Sequence, residues 1–246
     1  MIDRFSAILW LMPIVPALPR RREPEWMDDD AVGEEDLRRS LRFIQRINSL
    51  LGYTRSILRH LERFSARWKP GDRIDILDLA TGSADIPRAI LAWARERKLD
   101  VHITAVDRHP VTARVAAEGG SDSRLRIVQA DVFDLPFPER SFDYALCAMF
   151  LHHLDEEQIV SVLAAMDRLA RRGIIASDLL RHRRALLWIK AFTAFSPPMI
   201  RHDAVTSVRQ ALIKAEVLTL RERAGVSYAR YYGHFGHRFA LAGEKS

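Results

Sequence analysis

A single cysteine, Cys147, occurs in the 246 residues. One thiol excludes an intrachain disulfide framework and a cysteine-built zinc site, and it agrees with a reducing, cytoplasmic setting. No apolar stretch reaches the roughly 20 residues that a bilayer-spanning helix needs. The longest candidate, Ala7 to Leu18, is interrupted by Pro13 and Pro16 and closed by Pro19 ahead of Arg20-Arg21-Arg22. It also lacks the cationic leader of a secretory signal, because Asp3 offsets Arg4. There is no internal repeat and no long low-complexity segment. A full Gly-x-Gly-x-x-Gly fingerprint and a Tyr-x-x-x-Lys pair are missing too, which argues against a nicotinamide dehydrogenase.

What is present in quantity is arginine. Lysine and arginine number 38 against 32 acids, for a net charge of +6 and a pI near 9.8. The basic residues are scattered, and pairs such as Arg171-Arg172 fall at a predicted helix C-terminus, where cations oppose the macrodipole. A solvated helical face explains this balance, so no nucleic acid is expected as a partner. The length and a hydrophobic content of 48% allow one sizeable core. Residues 1–26 stay open between three readings: a disordered extension, a weak membrane-interface anchor, or an upstream start with Met27 as the functional one.

Between Glu34 and Trp68, Leu37, Leu41, Ile44, Ile47, Leu51, Leu58 and Leu61 recur at helical spacing, with Gly52 a candidate break. Strand-like runs then alternate with helical ones. The strands are Ile74 to Leu79, Val101 to Val106, Leu125 to Gln129, Tyr144 to Met149 and Gly173 to Ser177. The helices are Ile86 to Arg97, Pro110 to Glu118 and Glu156 to Leu169. Such alternation predicts a parallel sheet covered on both faces. Beyond it come a hydrophobic helix from Arg184 to Phe195, a Pro197-Pro198 break, a polar patch at Arg201-His202-Asp203, and a long helix from Thr206 to Ala224 with Gly225 as C-cap. Val226 to Tyr232 and Arg238 to Ala242 close the chain as an antiparallel pair.

One segment concentrates the chemistry. In Ile76-Leu77-Asp78-Leu79-Ala80-Thr81-Gly82-Ser83-Ala84-Asp85-Ile86-Pro87, an apolar strand ends in an acid, small residues follow, and a helix begins. Small residues let the backbone approach a ligand, and the helix N-terminus offers unpaired N–H groups. One helix and one strand later, Val101 to Asp107 ends a second apolar run in another acid. In a βαβ unit that spacing sets a carboxylate beside the ribose of an adenosine-containing cofactor.

With this order of elements, the stretch Arg73 to Gly243 resembles the class I S-adenosylmethionine-dependent methyltransferases. Asp78 to Asp85 looks like the family's first motif and Ala105-Val106-Asp107 like its ribose-binding acid. Gln129 to Pro138 looks like the adenine-binding segment, and Ser141 to Tyr144 with Phe150 to Leu154 look like its fourth strand and exit. Small-molecule members are closest, similar to the C-methyltransferases of ubiquinone and menaquinone biosynthesis, with which the chain shares Asp134-Leu135-Pro136-Phe137. The resemblance implies an α/β, Rossmann-like fold: a mostly parallel seven-stranded sheet, an antiparallel C-terminal hairpin and an N-terminal helical lid at 27–72. Residues 73–246 form the S-adenosylmethionine-binding domain, with an acceptor-pocket insertion near 184–206. It further implies that Asp78 orients the loop or meets the cofactor amino group through water, that Ala80, Thr81, Gly82 and Ser83 approach the methionine moiety, and that Asp107 binds the ribose hydroxyls. Asp131 and the Val132 N–H meet the adenine, Arg108 flanks it, and Ala148 completes the set. Ala80 and Ala84 stand where the family has glycine, which is tolerated if φ is negative there, whereas cofactor affinity suffers if either position needs φ > 0.

Other residues are read without a ligand. Asp85 is taken as the N-cap of the following helix, and Asp134 and Asp143 as turn residues. Of His152 and His153, at the exit of the fourth strand, one is a candidate general base, with His153 ahead, and the other packs. Arg201 and His202 bind a polar end of the acceptor or begin a salt-bridged helix, with Asp203 capping it. Leu187, Trp188, Ile189, Phe192, Phe195 and Met199 line an apolar acceptor pocket or belong to ordinary core. No metal site is assigned. The expected activity is methyl transfer to O or C of a small hydrophobic or aromatic acceptor, with an RNA methyltransferase or a non-catalytic partner protein as alternatives.

Overall fold

The computed structural model describes residues 18–29, 31–50, 52–120, 122–234 and 237–245. Seven strands form one sheet: β1 (Arg73–Leu79), β2 (Asp100–Asp107), β3 (Leu125–Gln129), β4 (Phe142–Ala148), β5 (Ala170–Leu179), β6 (Arg230–His234) and β7 (Arg238–Glu244). Their order is β3-β2-β1-β4-β5-β7-β6, and β7 runs against the direction of the other six. Strands this apolar on alternate and intervening positions must be covered twice. Leu79, Val106, Cys147, Met166 and Phe239 pack on one face, and Leu61, Ile76, Ile90, Tyr144 and Ile175 on the other.

The helices are α1 (Glu34–Leu50), α2 (Tyr53–Ser65), α3 (Asp85–Glu96), α4 (Pro110–Glu118), α5 (Glu156–Leu169), α6 (Arg183–Phe192), α7 (Pro198–Gln210) and α8 (Lys214–Arg223). Gly52, at φ +77°, divides the first two. Among the described residues, no helix is long and apolar enough to cross a membrane. The order of crossovers reverses between β1 and β4, which opens a crevice beyond the carboxyl ends of the central strands.

Several sequence expectations are corrected. The long helix over 206–224 is two helices, because a buried arginine breaks it. The Arg181 N–H donates to Leu212 O (2.8 Å), and its guanidinium reaches Ala211 O and Glu216. Glu216 in turn accepts the Ile213 N–H (2.8 Å) and starts α8. The patch Arg201-His202-Asp203 lies inside α7, not before a helix. The last hairpin begins at Arg230, since Val226 to Ala229 is a turn closed by Ala229 N–H to Val226 O (2.9 Å).

Arg171 and Arg172 belong to β5 rather than a helix end, and both grip Asp143, at 3.0 and 2.9 Å. Asp143 is therefore a buried strand residue and not a turn acid. Residues 18–26, expected as part of an extension, are packed on the domain. Arg20 donates to Gln210 O (2.7 Å) and Leu154 O (2.9 Å), and the Asp203 carboxylate accepts the Trp26 and Met27 N–H groups at 2.8 and 3.1 Å. The apolar run that suggested a membrane anchor falls, apart from Leu18, outside the described residues.

Candidate active site

All ten residues expected around the cofactor line one crevice of about 550 Å³: Asp78, Ala80, Thr81, Gly82, Ser83, Asp107, Arg108, Asp131, Val132 and Ala148. Parallel pairing brings the two strand-tip acids together, with Asp78 opposite Ala105 and Leu79 opposite Val106. Asp78 is buried, and loss of water together with the Asp85 and Asp107 charges pushes its carboxyl up to about 7. Burial also raises Asp107, against two backbone donors that hold its charged form: Gly82 N–H at 2.9 Å and His109 N–H at 3.1 Å. Asp131 accepts the Phe133 N–H at 2.9 Å, which fixes the bend beyond β3.

The bend after β1 is left-handed at three of its residues. Ala80 has φ +54°, Gly82 +58° and Ala84 +55°, so the expectation of negative φ at the two alanines is overturned. The turn is closed by Thr81 N–H to Val106 O (2.9 Å) and Ala84 N–H to Thr81 O (3.0 Å), a geometry that needs this hand. Met149, across the crevice at the end of β4, is also left-handed, at φ +56°. Each such non-glycine residue costs roughly 1–2 kcal/mol, and clustering of strain around a ligand site is a common functional feature. Asp85 is the first helical residue and makes no capping bond. It instead accepts from Asn48 Nδ2 (3.1 Å) and Ser83 Oγ (3.2 Å), tying α1 to the bend.

Both histidines face the crevice, beside two acids of the N-terminal segment. His152 is buried, with Nδ1 at 2.7 Å from Asp178 Oδ1 and Nε2 at 3.6 Å from Glu25 Oε1. Burial alone would lower its pKa, but Asp178 and Glu25 outweigh it and push the imidazole up to about 10. Burial would likewise raise Glu25, yet His153, His152 and the Ser207 hydroxyl hold it down at about 2. An imidazole gripped by a carboxylate at one nitrogen and facing another at the second is no free base, so His152 is read as a clamped residue rather than the candidate base. His153 is partly exposed, with Nδ1 at 2.8 Å from Asp28 Oδ2 and its ring 4.3 Å from that of His152.

A second cavity of about 540 Å³ lies between α1, α6 and α7, walled by Phe43, Ile47, Tyr53, Trp188, Ile189 and Val208. It shares Glu25, Met27, Ile44, Asn48, Met149 and Ser207 with the crevice. Of the apolar stripe expected here, Trp188 and Ile189 line it, whereas Leu187, Phe192 and Phe195 are exposed. Arg201 is exposed, and His202 stacks on Trp26 with ring centroids 4.2 Å apart. Neither of the two lines either cavity, and Asp203 holds the N-terminal segment rather than capping toward Thr206.

Residues 76–173 match the family model of a methyltransferase domain. Over 192 residues the chain is 27% identical to the ubiquinone/menaquinone biosynthesis C-methyltransferase UbiE of Teredinibacter turnerae, covering 70% of this chain and 74% of that protein. The chain thus carries a methyltransferase domain and is similar to S-adenosylmethionine-dependent methyltransferases of class I. It is also 29% identical over 129 residues to the 2-phytyl-1,4-naphtoquinone methyltransferase of Synechococcus elongatus, covering 50% of this chain and about half, 52%, of that relative. Human N-acetylserotonin methyltransferase in complex with SAM has the same fold, with a TM-score of 0.62 at 16% identity over 87% of this chain and 56% of that one.

Four residues of the methyltransferase site escaped the sequence reading. Glu25 and Asp28 sit at the boundary of a segment set aside as extension. Asn48 looked like one more polar position on an amphipathic helix. Asp178 did carry a signal, since it closes the apolar run of β5 as Asp78 and Asp107 close theirs.

Proposed function

We propose that this methyltransferase moves the methyl group of S-adenosylmethionine to a small, flat, largely apolar acceptor of quinol or phenol type, on O or C. The observation that carries this is the apolar cavity opening into the acidic crevice through shared walls. Concave, mostly apolar sites of this size with a few polar groups suit ligands of that class. The quinone-directed names of the relatives support the same reading.

The donor set fits the cofactor. Four carboxylates, Asp78, Asp85, Asp107 and Asp131, face a crevice that would hold a molecule carrying a sulfonium and an ammonium. Asn48 Oδ1 is buried there with no partner among the described residues, an acceptor available to the same ligand. When bound, S-adenosylmethionine supplies an electrophilic methyl on sulfur. Asp107 would hold the ribose hydroxyls, Asp131 and Val132 the adenine, and the bend from Ala80 to Ser83 the amino-acid end, with Asp78 behind it. Ala148 and Arg108 would close the sides. Helix α1 would act as the lid, since its Leu37, Leu41 and Ile44 cover the crevice, whereas α2 packs Ile57 and Leu61 against the sheet. Alignment of the acceptor against the methyl carbon is the main device, and orientation of this kind contributes on the order of 7–11 kcal/mol at best.

The test is turnover with a panel of reduced quinones and phenols, reading S-adenosylhomocysteine formed and locating the new methyl by mass and NMR. Methylation of at least one such ring is expected. Binding of cofactor with no turnover across the panel, but turnover of sugars or RNA, would sink the acceptor reading.

A further inference from the structure

We propose that Glu25, His152 and His153 bind one divalent transition-metal cation, of the zinc or ferrous type, where the crevice meets the apolar cavity. Three donor atoms already converge: His152 Nε2 lies 3.6 Å and His153 Nε2 3.9 Å from Glu25 Oε1, all mutually within 4.8 Å. Tetrahedral sites with bonds of about 2.0–2.1 Å put their donors roughly 3.4 Å apart, so the two histidine–glutamate distances already lie close to that spacing and side-chain rotation of the two imidazoles completes the closure.

The surroundings match what such sites require. A ligating histidine usually hands its other ring N–H to a carboxylate, which fixes the ring and strengthens the donor. Here both do: His152 Nδ1 bonds Asp178 at 2.7 Å and His153 Nδ1 bonds Asp28 at 2.8 Å, leaving both Nε2 atoms directed at Glu25. The glutamate is held in turn by Ser207 Oγ (2.6 Å) and Gln210 Nε2 (3.1 Å). Three carboxylates around two imidazoles leave negative charge that a dication offsets. Two imidazoles with one carboxylate suit zinc or non-haem iron(II) rather than magnesium or calcium.

All three residues line the crevice, so the remaining coordination position is reached from it. An oxygen of the acceptor would ligate there, lose its proton to solvent and present an activated phenolate or enolate to the methyl group. That last step rests on the acceptor reading above; the metal site itself does not. His153 then acts as a ligand, and the metal takes over the role of the base.

The test titrates the full chain, stripped with a chelator, with Zn(II) by calorimetry and with Co(II) by visible absorption. One equivalent at micromolar affinity or better is expected, with the d–d bands of four- or five-coordinate Co(II). Glu25→Gln and His153→Gln should each weaken binding at least tenfold, with S-adenosylhomocysteine binding as the control for folding. His153 is partly exposed, so that variant decides the matter if the buried Glu25 change fails to fold. Asp107→Asn should weaken S-adenosylhomocysteine about tenfold yet keep Co(II). No saturable Co(II) signal, or one that survives both ligand substitutions, overturns the site and leaves an ion-paired imidazolium in its stead. Metal bound as expected but no ring compound methylated would overturn the acceptor reading alone.

Discussion

The carboxylate of Asp107 accepts the backbone N–H of Gly82 at 2.9 Å, so the tip of β2 is tied to the bend that leaves β1. The same group is thus both a structural clamp and an acceptor facing the crevice. Asp107→Ala removes both roles. Losing the bonds to ribose should weaken S-adenosylhomocysteine by roughly 1–3 kcal/mol, about ten- to hundredfold. Calorimetric titration measures it, and an unchanged affinity would take Asp107 out of the cofactor site.

The left-handed alanines predict opposite outcomes for two superficially similar changes. Ala80→Gly relieves roughly 1–2 kcal/mol of backbone strain and gives back about 0.5–1 kcal/mol of chain entropy. A net gain of about 0.5–1 kcal/mol, or about 2 °C in Tm, is expected for a chain of this size. Ala84 is fully buried, and its lost methyl costs about 0.8 kcal/mol more. Ala84→Gly should therefore leave Tm nearly unchanged. Differential scanning calorimetry of both variants separates strain from packing.

These residues also mark how far the sequence could be read. Periodicity sufficed for the sheet, because each parallel strand is an apolar run that no other arrangement would bury. The ten crevice residues were named from the family resemblance, and they converge on one crevice because they sit at strand tips and in the bends beyond them. Features built from distant partners were not legible. Arg181 breaks the 206–224 helix through Leu212 and Glu216, and nothing within that stretch announces an arginine thirty residues earlier. Glu25 and Asp28 carry no local pattern at all and gain meaning only where the N-terminal segment crosses His152 and His153. Asp143 looked like a turn acid because its two arginines come from the following strand, a whole helix further along the chain.

At the other end of the sheet, Asp143 gives a stability prediction that spares the site. Its buried carboxylate meets Arg171 and Arg172 and accepts the Asp75 N–H at 2.9 Å. Breaking a buried pair by removing one partner costs about 3–5 kcal/mol. Both arginines are partly exposed and can rehydrate, which reduces the expected loss for Asp143→Ala to about 2–3 kcal/mol. Urea unfolding should report that loss, while S-adenosylhomocysteine affinity stays within twofold. A matching loss of affinity would mean that strain travels the length of β4.

Asp78 carries the pH dependence. Its folded pKa, raised by burial to about 7, exceeds the unfolded value of 3.8. The unfolded chain releases that proton first, so the contribution of Asp78 to stability is greatest below about pH 4 and is lost as pH rises to about 7. Asp78→Asn should abolish that decline, so the variant gains on the parent between pH 5 and pH 8 in paired urea titrations. Cofactor binding has the opposite sense. An ammonium brought against Asp78 favours the carboxylate, so binding at pH 6 should release a proton, and affinity should rise about tenfold from pH 6 to pH 8. Calorimetry in buffers of different ionisation enthalpy reads the proton directly. A flat profile in the parent, or the same slope in Asp78→Asn, would show that this carboxyl stays neutral beneath the ligand and serves only to shape the bend.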